Sequence, residues 1–183
     1  RWVTSSRTST TERRTKMGRN FSNPPGSEVA VDGTGRSIGI VCARWNDVIT
    51  GRLLQGATDT LAVRGVAESD VDLACVPGAF ELPLAAQVMA RTGRYDAVIA
   101  IGCVIRGDTA HFEYVAGPAA EGIMDAQLRT EVPIVLAVLT VEDRRQALVR
   151  SVLGGDVRGD NKGAEAADTA LEMAHVLAEL RAG

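Results

Sequence analysis

Strand-like and helix-like segments alternate along this chain from Ser37 onward. That alternation predicts an α/β protein with a central four-stranded parallel sheet and helices on both sides. Two observations carry the reading. Four short runs are dominated by apolar residues, and the first is a continuous apolar stretch rather than an alternating one, as expected of a strand buried on both faces. Between them lie longer segments whose apolar residues recur at helical spacing. A third observation sets the scale: 183 residues, 45% hydrophobic and 23% charged, suit one globular domain with some chain to spare.

Each element has its own justification. Ser37-Ile-Gly-Ile-Val-Cys-Ala43 is the first strand. Asn46 is a candidate cap for the next helix, in which Ile49, Leu53, Leu54, Ala57 and Leu61 form one stripe. Val71–Val76 is the second strand, stopped by Pro77-Gly78. A helix then runs to about Arg91, with Pro83 tolerated in its first turns. Ala97–Ile101 is the third strand, Phe112–Arg129 a helix and Ile134–Leu139 the fourth strand. Helices near Glu142–Val152 and Ala164–Leu180 complete the pattern, the last with Ala167, Leu171, Ala174 and Ala178 on one stripe. Gly18–Gly35 is a polar connector in which Glu28-Val-Ala-Val-Asp32 is a candidate edge strand. The expected organisation is a basic extension and connector over 1–27 and a domain over 28–183.

Charge is unevenly spread. Residues 1–20 carry +5, which leaves −8 for the remainder of a chain whose net charge is −3. An acidic globular part argues against nucleic acid as partner, since phosphate binding needs a basic face. The leading stretch has Ser, Thr and Arg without apolar periodicity. It reads as a disordered extension, with a transit-type segment or a start at Met17 as alternatives. No uncharged apolar run approaches the roughly 18 residues of a membrane helix, so a soluble, cytoplasmic protein is expected, or an organellar one if the extension is a transit segment. Cys42, Cys75 and Cys103 are too far apart for a CxxC motif and read as buried free thiols of a reducing compartment. Cys103, beside the sharpest motif, is a secondary candidate for a nucleophile.

Open parallel sheets place their sites at the carboxyl ends of the strands, and the unusual residues fall there. Arg44-Trp45-Asn46 follows the first strand, Pro77-Gly-Ala-Phe-Glu81 the second and Gly102–Phe112 the third, while Thr140 follows the fourth. In the third loop, Gly107 admits close approach of backbone N–H groups, Thr109 adds a hydroxyl, and a helix N-terminus follows, which together suit an anion such as phosphate. His111 is one of two histidines, and a histidine side chain can carry protons, so it is the candidate proton carrier; His175 has no such company. Two roles fit Trp45, core packing or stacking on a planar ring. Two also fit Glu81, helix stabilisation or a site carboxylate. Arg150 and Lys162 flank a Gly-rich stretch and are candidate anion ligands. Without a Walker-type loop, a GxGxxG fingerprint or a metal-ligand cluster, no cofactor and no metal are expected.

Taken together, Arg44-Trp45-Asn46, Pro77-Gly-Ala-Phe-Glu-Leu-Pro83, Ile105-Arg-Gly-Asp-Thr-Ala-His-Phe112, Val138-Leu-Thr140 and Asn161-Lys-Gly163 resemble the 6,7-dimethyl-8-ribityllumazine synthase family, in order and spacing, over about Ser37 to Leu180. The resemblance implies a three-layer flavodoxin-like sandwich and homopentamers with active sites at subunit interfaces. It implies a transferase of riboflavin biosynthesis that condenses 5-amino-6-ribitylaminouracil with 3,4-dihydroxy-2-butanone 4-phosphate, releasing phosphate and water, with riboflavin synthase a candidate partner. It makes His111 the catalytic proton shuttle. Trp45, Asn46, Ala79, Phe80, Glu81, Val104, Ile105, Leu136 and Lys162 would bind the ring substrate, with Glu165 near Lys162. Gly107, Asp108 and Thr109 would cradle the phosphate, clamped by Arg150 of a neighbouring subunit. Leu136 stands where many members have Phe, Asp108 sets a negative charge beside the phosphate site, and the insert before Lys162 favours a free pentamer over a closed shell. The alternative is a non-catalytic paralogue that holds a flavin or lumazine.

Overall fold

A computed structural model describes residues 31–154 and 160–182 of the chain. Four parallel strands, Ile38–Ala43 (β1), Val71–Val76 (β2), Ala97–Ile105 (β3) and Ile134–Val141 (β4), form one sheet in the order β2-β1-β3-β4. Five α-helices connect and cover them: Asp47–Val63 (α1), Leu82–Arg91 (α2), His111–Thr130 (α3), Arg144–Val149 (α4) and Lys162–Ala182 (α5).

The layering follows from chain direction. From β1 to β2 the chain steps one way across the sheet; from β2 to β3 and on to β4 it steps the other way. Right-handed crossovers then send α1 to one face and both α2 and α3 to the opposite face. α5 returns to pack on α1, and α2 packs on α3. Alternate residues feed the two layers. Ile38, Ile40 and Cys42 of β1 join Leu53, Leu61 and Leu171 on one side, whereas Val41 and Ala43 join Leu82, Ala86 and Ile123 on the other. All six residues of β1 are buried, as a central strand requires. Full burial of each Leu or Ile contributes about 1.5–3 kcal/mol, so aliphatic side chains supply most of what holds the sheet. Among the described residues, Tyr95 is the one aromatic buried in it, its hydroxyl donating to Asp72 at 2.6 Å.

Helices α1 and α5 approach too closely for side chains at two points. A Cβ on Gly163 would lie 1.9 Å from the carbonyl oxygen of Leu53, and one on Gly56 would lie 2.3 Å from Oδ1 of Asn161. Asn161, itself buried, fastens this junction. Its Oδ1 accepts from the N–H groups of Gly163 and Ala164 at 2.9 and 3.2 Å, capping α5, and its Nδ2 donates to the carbonyls of Arg52 and Val152, each at 3.1 Å.

Several sequence expectations are corrected. Asn46 does not cap α1 with its side chain: its backbone is left-handed at φ 61°, and only its carbonyl accepts from the helix. β3 extends beyond Ile101 to Ile105 because β4 keeps pairing with it through Val141. The helix expected over Glu142–Val152 is shorter, starting after the Asp143 cap and ending before Ser151, which bridges to Asn161. Cys75 is exposed, since β2 is an edge strand, while Cys42 and Cys103 are buried. Val31 and Asp32 are not in a strand; the rest of the expected edge strand Glu28–Asp32, the basic extension and most of the Gly-rich insert lie outside the described residues. Among the described residues, no helix is long and apolar enough to cross a membrane.

Candidate active site

Strand order reverses between β1 and β3, and an open parallel sheet forms a crevice at such a switch point, at the carboxyl ends of the strands. Direct β1–β3 pairing stops at Cys42 and Ile101. Beyond it Asn46 takes over, its Nδ2 donating to the carbonyl of Cys103 at 2.8 Å. The loop after β1 is thereby bound to the end of β3, which runs through Val104 and Ile105 into the turn ending at His111.

The loop after β2 is built against the loop after β1. The Trp45 N–H donates to the carbonyl of Pro77 at 3.1 Å. A Cβ on Gly78 would lie 2.4 Å from Cε3 of Trp45, so the indole rests directly on glycine backbone. Trp45 is 61% and Phe80 57% exposed, which excludes the core role for Trp45 and leaves two aromatic faces open at one rim. Ala79, beneath them, is buried. Glu81 turns back on its own loop, one carboxylate oxygen accepting from the Gly78 N–H at 2.9 Å. The helix-stabilising role for Glu81 is therefore realised.

The third loop, Arg106 to Ala110, is exposed throughout and leads into α3 at His111, also exposed. The His111 N–H reaches Thr109 Oγ1 at 3.4 Å. A Cβ on Gly107 would meet nothing within 4 Å, and its φ is not in the left-handed range, so nothing among the described residues demands glycine there. Arg106, to which the sequence reading gave no role, ties this loop down through Glu113, Glu142 and the ring of Phe112. Its guanidinium holds the Glu113 carboxyl below the usual carboxylate range, chiefly by their hydrogen bond. No local signal in the sequence marks the pairing with Glu142, 36 residues away.

A second cluster lies on the other side of the sheet's edge. Leu136 and Thr140 of β4, Gln146 and Arg150 of the α4 segment, and Lys162, Glu165 and Thr169 of α5 line a groove of about 460 Å³. Lys162 Nζ holds both oxygens of Glu165 at 2.7 Å, and Arg150 Nη1 donates to the carbonyl of Gln146 at 3.0 Å. The candidate residues thus fall into two groups. Trp45, Asn46, Ala79, Phe80, Glu81, Val104, Ile105, Gly107, Asp108, Thr109 and His111 gather at the strand ends, while Leu136, Arg150 and Lys162 gather along the outer edge of β4.

Cys103 is buried, and burial pushes its thiol up to about 11, which disfavours the nucleophilic role. His175 pairs with Glu179 at 3.4 Å on α5, away from both groups. Among the described residues, no group of three or more His, Cys, Asp or Glu side chains could hold a metal ion. In a comparison with family models, the model for 6,7-dimethyl-8-ribityllumazine synthase matches residues 35–178, a span that contains all four strands and both groups of site residues.

Proposed function

This chain belongs to the 6,7-dimethyl-8-ribityllumazine synthase family of riboflavin biosynthesis, and we infer from that premise that it condenses 5-amino-6-ribitylaminouracil with 3,4-dihydroxy-2-butanone 4-phosphate. The observation that carries the inference is the join of Asn46 to Cys103, which sets an open aromatic rim beside a glycine-bearing turn with a histidine at its end. A planar ring and a small phosphorylated carbonyl compound are the two kinds of molecule such neighbours suit.

In this reading the pyrimidinedione stacks on Trp45, with Phe80, Val104 and Ile105 around it. The backbone N–H groups of Gly107, Asp108 and Thr109 receive the phosphate, and the empty space above Gly107 leaves room for it. The ring's primary amine attacks the ketone; His111 moves the protons that let hydroxyl leave as water and phosphate leave as the adjacent carbon loses hydrogen, after which the ribitylamino nitrogen attacks the remaining carbonyl and loss of a second water closes the ring. Amine and leaving group are both reactive already, so orientation supplies much of the rate. Asp108 and the two carboxylates around Arg106 make the turn poor in positive charge, which favours a cation supplied from elsewhere. Arg150, on the outward-facing groove along β4, is that cation if a second subunit presents it. Leu136, Lys162 and Glu165 then line the shared site from the same side, and the homopentamer implied by the family is the assembly proposed. The insert before Lys162 favours a free pentamer, which a light-scattering mass near sixty subunits would refute. The working domain is 28–183, and three free thiols favour a reducing, cytoplasmic compartment.

The test is to mix purified full-length chain with both substrates and follow lumazine absorbance and fluorescence. Turnover above the spontaneous background supports the reading; none, with tight riboflavin binding, would identify a non-catalytic binding protein instead.

A further inference from the structure

We propose that Arg106 is a positioning residue for this reaction, a strap that holds the turn from Gly107 to His111 in its working shape; the proposal rests on that turn being the phosphate cradle. Three groups meet at its side chain. Nε donates to Glu142 Oε2 at 2.7 Å at the end of β4, Nη1 donates to Glu113 Oε1 in the first turn of α3, and the guanidinium carbon lies 4.1 Å from the centroid of the Phe112 ring. Its main-chain N–H adds a fourth hold, donating to the carbonyl of Val141 at 2.9 Å.

The turn needs such a fastening. A Cβ on Gly107 would meet nothing within 4 Å, all of residues 106–111 are exposed, and the bonds at the turn's end are long: 3.4 Å from the His111 N–H to Thr109 and 3.2 Å from the Glu113 N–H to the carbonyl of Ala110. A turn so weakly bonded to itself takes its shape from its ends. Arg106 fixes one end as backbone and the other through Phe112 and Glu113, the two residues that follow His111. A single exposed ion pair would do little here. A planar guanidinium engaged by two carboxylates and a ring has lost most of its freedom, and lysine cannot reproduce that arrangement. With both carboxylates on it, Arg106 is not the counter-charge of the phosphate, which is why its role is to position rather than to bind.

Arg106→Gln, Arg106→Lys and Glu142→Gln in the full chain test this by steady-state kinetics in both substrates. Loosening the cradle is expected to raise KM for the butanone phosphate by about tenfold in Arg106→Gln, equivalent to about 1.4 kcal/mol. KM for the pyrimidine should stay within about twofold. Arg106→Lys should fall between, and Glu142→Gln should shift the same constant less and add nothing in the Arg106→Gln background. Unchanged constants in Arg106→Gln, full function in Arg106→Lys, or a uniform loss that tracks the folded fraction in thermal melts would each overturn the proposal. If Arg106→Gln does not fold, the presence or absence of the same selective shift in Glu142→Gln decides it. A wild-type chain no faster than background overturns the functional reading and this proposal together, whereas an active wild type beside an indifferent Arg106→Gln overturns this proposal alone.

Discussion

Asn46 donates from its side-chain amide to the main-chain carbonyl of Cys103 at 2.8 Å, continuing the contact of β1 and β3 past the last residue pair of their ladder. Asn46 also sits in the left-handed region, φ 61°, which asparagine tolerates better than most side chains. Its replacement therefore has two separable consequences. Asn46→Gly keeps the backbone freedom and removes the bond, for a loss of about 1 kcal/mol in stability. Asn46→Ala adds a left-handed alanine and is expected to fall further, by about 1 kcal/mol. Urea denaturation measures both, and equal losses would show that backbone strain contributes nothing here.

Gly78 is the seat of the Trp45 indole. A methyl group there would lie 2.4 Å from Cε3 and 2.6 Å from Cζ3, and the ring must move because the other side of the contact is main chain. Gly78→Ala should raise KM for the pyrimidine by about tenfold while leaving KM for the butanone phosphate nearly unchanged. The opposite split would mean that Trp45 serves the wrong substrate in the proposed function.

The three thiols differ in environment, and alkylation reads the difference. Burial pushes Cys42 and Cys103 up to about 11, so both remain protonated at pH 8, and the thiolate is the reactive form. Cys75 is exposed on the edge strand. Iodoacetamide at pH 8 should modify Cys75 in the native chain and all three cysteines after denaturation. The sign for stability follows from linkage: the native state keeps these protons while the unfolded chain releases them above about pH 8.5. Stability is thus expected to fall as pH rises through that range toward 11. Rapid native labelling of Cys103 would contradict its buried placement.

Much of the fold was legible because its signals are local. Continuous apolar runs mark β1 and β3, and the turn Pro77-Gly78 marks the end of β2. What escaped depended on strand order or distant pairing. Cys75 resembles Cys42 in sequence context, yet one lies on an edge and the other in the centre of the sheet. Asn46 precedes a helix as a capping residue does, but the acceptor it finds is 57 residues away. The placement of Trp45, Phe80 and His111 just beyond strand ends was readable from the α/β rule alone. The groove of Arg150 and Lys162 was not, since neither its lining by β4 nor the capping of α5 by Asn161 has a local signature.

That cap has a measurable weight. Asn161→Ala removes four hydrogen bonds at a buried position and leaves two helix N–H groups and the Val152 carbonyl without their partner. The expected loss is about 2–4 kcal/mol. It should appear as a Tm lower by about 5–15 °C in a domain of this size. A change under about 2 °C would mean that water replaces the side chain without difficulty.

The division of the site residues into two groups leads to the most discriminating experiment. His111 stands at the strand ends, and Arg150 lines the groove that opens outward along β4. His111→Ala should slow turnover substantially without abolishing it, because the amine and the leaving group need orientation more than proton transfer. Arg150→Ala should mainly raise KM for the butanone phosphate, by about 10- to 100-fold for a lost charge-assisted bond. If the two residues meet only across a subunit boundary, mixing the variants recreates intact pairs. In an assembly co-refolded from equal amounts, about a quarter of the sites would join the His111 of one chain to the Arg150 of another. Activity above the average of the two parent variants is therefore expected after co-refolding and not after simple mixing. If co-refolded assemblies never exceed that average, His111 and Arg150 act within one subunit, and the outward groove along β4 is not half of the catalytic site.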